Sequence, residues 1–104
     1  MTSAEIRISG LSNRKESIRN KLPFSKIEQG DVVIHSALDS ETPLNDHLVW
    51  LWGALKHERR FLKNLQAEGG KIICKAKPEK GQFVIKSNAA EMLHLLNIEL
   101  FIER

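Results

Sequence analysis

Residues 44–67, LNDHLVWLWGALKHERRFLKNLQA, decide the fold. At 100° per residue, Leu44, Leu48, Leu51, Trp52, Leu55 and Leu62 fall in one stripe, which predicts an amphipathic helix laid on a core. Glu58 intrudes near that stripe, so a bend or break is expected around residues 56–59. Two consecutive helices result, the second anchored by Phe61, Leu62 and Leu65. Pro43 suits the first helical position, with Thr42 as the cap. Gly69-Gly70 closes the segment, because glycine takes a left-handed C-terminal position at little steric cost.

Upstream, Ala4-Glu5-Ile6-Arg7-Ile8-Ser9 alternates polar and apolar residues and reads as a strand with one buried face. Asn13 and Glu16 stand three apart, as in a capping box, and start a short helix to about Lys21 that Pro23 ends. Asp31-Val32-Val33-Ile34-His35-Ser36 is a second strand, rich in β-branched residues. Downstream, Lys71 to Lys77 alternates again, with Ile72, Cys74 and Ala76 on one face. Pro78-Glu79-Lys80-Gly81 is a turn by composition, so Phe83-Val84-Ile85 is expected to return as the second arm of a hairpin. Ser87 or Asn88 would cap a helix over 89–96, and Ile98, Leu100 and Ile102 mark a closing strand.

The predicted order is β-α-β-α(α)-β-β-α-β. Alternating strands need helices on one face only, which implies an α+β two-layer sandwich of ferredoxin-like layout with a mainly antiparallel sheet. At 104 residues, with 41% apolar and 28% charged content, the chain has material for a single domain spanning 1–104.

The element order and apolar pattern resemble bacterial domain-of-unknown-function family 4279. The matching features are Ile6-Arg7-Ile8, a strand ending in Ser36, and a polar turn into Leu44-Asn45-Asp46-His47-Leu48. The Leu62/Leu65 pair before a Gly-bounded hairpin and the helix-then-strand ending, Leu93 to Phe101, complete the resemblance. Members often carry a tryptophan on the second strand, where this chain has Val32 to Ile34. The resemblance implies a fold and no activity, so no site residue is carried over from it.

Motifs for catalysis are missing. The four histidines (His35, His47, His57, His94) lack metal-ligand spacing, and Cys74 is the only cysteine, which predicts no metal site and no internal disulfide. Cys74 sits in a strand-like run and reads as a packed apolar residue. No serine elbow, Rossmann spacing or phosphate loop occurs. Asp46-His47 and His57-Glu58 with Arg59-Arg60 pair acids with bases, but neighbours on a helix point about 100° apart. A non-enzyme without cofactor is expected. The N-terminus lacks the basic and apolar regions of a cleaved signal, and no apolar run approaches a membrane span. A cytoplasmic protein with no membrane contact follows as the expectation.

Function is then expected in a binding surface. Charge is segregated despite a modest net +3. Residues 28–46 hold Glu28, Asp31, Asp39, Glu41 and Asp46 without a lysine or arginine, whereas 14–26 and 71–86 are basic. On the long helix, Trp50 points away from the leucine stripe, sharing its side with Asp46, Gly53 and His57. Such a tryptophan either packs on a neighbouring helix or meets a partner, and tryptophan is common at interface hot spots. The expected contact residues are therefore Asp39, Glu41, Asp46, Trp50 and His57, on a protein-binding module. Within that class a bacterial immunity protein covering the active site of a cognate toxin is the first reading. Two alternatives stand beside it: a nucleic-acid-binding domain using Arg14, Arg19 and the lysines at 71, 75, 77 and 80, and a small-molecule regulatory domain. Against nucleic acid stands the shortage of aromatics, with four phenylalanines, two tryptophans and no tyrosine.

Overall fold

The computed structural model describes residues 1–78 and 83–103. Five strands form one sheet in the order β2-β3-β1-β4-β5, where β1 is Ser3–Ser9, β2 Ser25–Glu28, β3 Asp31–His35, β4 Lys71–Lys77 and β5 Glu99–Ile102. The helices are α1 (Lys15–Lys21), α2 (Leu44–Leu55), α3 (Arg59–Ala67) and α4 (Ser87–Leu95), with 3-10 turns at Ser12–Arg14 and Lys56–Glu58.

The strand registers explain the two layers. Ile6 faces Ile34 on one side and Cys74 on the other, while Ile8 faces Val32 and Ile72. Residues opposite one another share a face, so these six and Ala4/Ala76 form an apolar floor. Leu48, Leu51 and Leu55 of α2, Leu62 and Leu65 of α3, Ile18 of α1 and Met92 of α4 close over it as a single core. The reverse face carries Glu5, Arg7, Lys26, Glu28, His35 and Lys75. The α+β class is thus as the alternation predicts.

The detailed order is different, and the sheet is mixed. β1 runs antiparallel to β3 and β4, and β2 antiparallel to β3, but β4 and β5 are parallel. The predicted strand at Phe83-Val84-Ile85 is irregular chain, from which Phe83 and Ile85 pack sideways onto the core. The place beside β4 goes to β5, and a strand reached through a helix returns parallel where a hairpin would return antiparallel. Most of the expected turn, residues 79–82, lies outside the described residues. A strand not anticipated, β2, pairs with β3 through Gln29-Gly30, both at positive φ (51° and 83°). Two such residues between paired strands make the tight hairpin turn that fits strand twist. The ferredoxin-like order therefore gives way to β-α-β-β-α-α-β-α-β.

Helix ends also differ from expectation in small ways. The break at residues 56–59 is present as the 3-10 turn Lys56–Glu58. α2 starts one residue late, with Pro43 itself at the cap position. No side-chain cap bond forms at α1 or α4: Glu16 pairs with Arg19, and Asn88 accepts from Asn45 Nδ2 at 3.1 Å. α3 ends as the glycines predict. Gly69 lies at φ +100°, Gly70 N–H donates to Leu65 O at 2.8 Å, and a Cβ at position 70 would stand 2.8 Å from that oxygen.

Candidate functional site

The outer side of α2 begins from what its inner side buries. Leu44, Leu48, Leu51, Trp52 and Leu55 are in the core, and so are Asn45 and His47. Asp46, Gly53 and His57 are left exposed, with Trp50 half-buried among them. Trp50 is not free: it packs against the core. Its ring meets that of Phe24, centroids 5.3 Å apart and planes at 50°.

Phe24 is placed by its neighbours. Pro23 disfavours helical geometry at the residue before it, and Leu22 accordingly ends α1 in an extended conformation. Ser25 Oγ donates to the carbonyls of Arg19 and Leu22 at 2.9 and 2.8 Å, fixing the far side of the bend. Between them Phe24 adopts φ +63°, and its side chain is 71% exposed. For a residue with a Cβ that conformation costs roughly 1–2 kcal/mol. Nothing in the core needs the ring there, so strain at this point directs attention to function.

The acidic residues gather at the opposite end of α2. Asp39 Oδ1 accepts from Glu41 N–H at 2.8 Å, closing a local turn, and Asp39 O accepts from Thr42 N–H. Glu41 and Asp46 line a shallow 330 Å³ pocket with Pro43, Phe83, Val84 and Lys86. Asp46 also sits in the first turn of α2, where a carboxylate complements the helix dipole.

His57 belongs to a third environment. It lines an open 490 Å³ cleft with Lys56, Arg59, Arg60, Lys63 and Asn64. At 1.5 Å per residue, His57 stands about 16 Å along the helical path from Asp46. The five expected contact residues therefore do not make one acidic face. They run from an acidic start, through an aromatic pair, to a basic end. Phe24 was missing from the sequence reading, since only the tertiary fold brings it to Trp50. The basic end was legible as cations at 56, 59/60 and 63, but reads equally as a solvated helix face.

The cations expected to serve a nucleic acid are mostly engaged or dispersed. Arg14 pairs with Glu68 at 2.7 Å and Arg19 with Glu16 at 2.8 Å. Lys71, Lys75 and Lys77 spread along β4 on the reverse face, and Lys80 lies outside the described residues. That face is a mixed-charge lattice. Arg7 donates to Asp31 at 3.0 Å and Glu5 at 2.9 Å, and the Asp31 bond chiefly raises its pKa. His35 stands 2.8 Å from Glu28, and this contact, followed by Lys26, holds the Glu28 carboxyl below its ordinary 4.5. His35 is thus a surface residue at the end of β3.

Chemistry elsewhere is limited. His47 is 1% exposed, its Nδ1 2.7 Å from Ser36 Oγ, and its Nε2 has no partner among the described residues. The contact ties the end of β3 to α2, and no carboxylate orients the ring as a triad requires. Cys74 is buried, and burial pushes its thiol up to about 12, far from a nucleophile's range. Among the described residues, no three His, Cys, Asp or Glu side chains are grouped to hold a metal, and no helix is long and apolar enough to cross a membrane.

Compared with family models, with curated proteins and with solved structures, the chain matches none.

Proposed function

We propose that this protein is a non-enzymatic protein-binding module that docks through Phe24 and Trp50. One observation carries the reading: an aromatic ring held out to solvent by a left-handed backbone and braced on a half-buried tryptophan. Paired aromatics offer large apolar contact area with little side-chain entropy to lose, which makes them effective interface anchors. Asp46, Glu41 and Asp39 form an acidic rim toward one end, suited to steering a basic partner. Within this class the first candidate is a bacterial immunity protein acting in the cytoplasm, covering a cognate toxin whose active site is basic. The resemblance to family 4279 adds no activity to this reading.

Affinity capture from the native cell tests it, with the parent and a Phe24→Ala/Trp50→Ala variant as baits. The expected outcome is one stoichiometric protein held by the parent and lost by the variant, with toxicity suppressed on co-expression with the parent. A partner held equally by both baits refutes the aromatic anchor. A captured partner that is harmless when expressed alone refutes the immunity role.

A further inference from the structure

We propose that the cleft at the α2–α3 joint binds the phosphodiester backbone of a nucleic acid without regard to base sequence, at a site separate from the aromatic pair. Its lining is Lys56, His57, Arg59, Arg60, Lys63 and Asn64. The cations recur at one-turn spacing, about 5.4 Å along the axis, so they line one side of the helical path as a row. All four are exposed, and among the described residues none is in an ion pair. The one local carboxylate, Glu58, is turned toward Lys21 at 3.5 Å. An ordinary solvated helix face interleaves both signs. This one carries a single sign.

A second observation is the electrostatics of α3. Arg59 and Arg60 occupy its first turn, no acidic residue lies there, and Glu58 at the cap position makes no side-chain cap bond. The positive end of the α3 dipole coincides with two positive side chains, Arg59 and Arg60, an arrangement that opposes the helix and favours an anion. A bound phosphate converts that repulsion into attraction, and the net charge of +3 steers polyanions toward it.

The lining also selects between polyanions. A protein interface has an apolar core, and this cleft contains no apolar side chain. Interfaces with nucleic acid are polar and strongly positive. With no phenylalanine, tyrosine or tryptophan lining the cleft and four cations in it, the contacts fall chiefly on phosphate, which positions a duplex or strand and carries no sequence information.

Fluorescence anisotropy with labelled random-sequence oligonucleotides, single- and double-stranded, is the test. At about 50 mM salt the parent binds in the micromolar range, and log K falls against log salt with a slope of about −3. Arg59→Gln/Arg60→Gln weakens binding by about tenfold or more and flattens the slope by nearly two. The control Lys71→Gln/Lys75→Gln leaves both unchanged, and circular-dichroism melts establish that each variant is folded. No binding by the parent, or a folded arginine variant with the parental slope, overturns the proposal. So does polyglutamate that displaces the oligonucleotide as well as unlabelled nucleic acid of equal charge, which would identify an acidic protein segment as the ligand.

Discussion

Phe24 and Trp50 answer to two opposing terms that can be separated by substitution. Phe24→Gly removes roughly 1–2 kcal/mol of left-handed strain and forfeits about 0.5–1.5 kcal/mol of ring contact. The expected net change in urea-unfolding free energy is within about 1 kcal/mol, whereas partner capture is abolished. A large loss of stability would mean that the ring belongs to the fold. Asn45 behaves in the contrary way. It is buried, accepts from Lys86 N–H at 2.6 Å and donates to Asn88, so it fastens α2 to the start of α4. Asn45→Ala should destabilise by about 2 kcal/mol with the aromatic face intact, measured by chemical denaturation. Glu28 supplies a pH test. Its folded pKa lies below 4.5, so its pairing stabilises fully above that value and is lost as pH falls through the lower folded value. The stability difference between parent and Glu28→Gln should therefore hold above pH 4.5 and shrink as the pH is lowered further, as read from urea midpoints. At this scale the sequence is candid about Trp50, which helical spacing places off the leucine stripe. It is silent about Phe24, whose exposure depends on a φ that no periodicity encodes.

Elements were legible in proportion to the apolar pattern they carry. The α2–α3 pair was readable because six core leucines recur at helical spacing and Glu58 interrupts them. β2 was not, since Ser25-Lys26-Ile27-Glu28 offers one apolar residue and an edge strand buries little. Phe83-Val84-Ile85 misled for the reverse reason: alternation produces half-buried side chains on irregular chain as readily as on a strand. The first turn of α3 carries its own forecast. Arg59→Glu, exposed and making no bond, should stabilise the helix by about 0.3–1 kcal/mol through the dipole and raise the thermal midpoint by a few degrees, roughly. The same change should eliminate oligonucleotide binding. A lower midpoint would mean that the arginines already have a structural use.

Across the whole molecule, charge is sorted by face. On the reverse side of the sheet Arg7 pairs with Asp31 and Glu5, and Glu28 pairs with His35 and Lys26. Along α2 itself, Glu41 and Asp46 lie at one end and the cations from Lys56 onward at the other. The segregation was visible as blocks along the chain, but which blocks neutralise one another was not, because Arg14 finds Glu68 and Lys21 finds Glu58 only after folding. The candidate site was accordingly half legible: its helix and tryptophan, not its phenylalanine or its division into three environments.

The central position of β1 has a bearing on biosynthesis. Of the five strands β1 is synthesised first, yet it is paired on both edges, with β3 and with β4, and Ser3 faces Lys77. Its second edge must stay open until β4 has been made. During that interval the nascent protein exposes Ile6 and Ile8 beside an unfilled hydrogen-bonding edge, a ready target for chaperones or for another nascent copy.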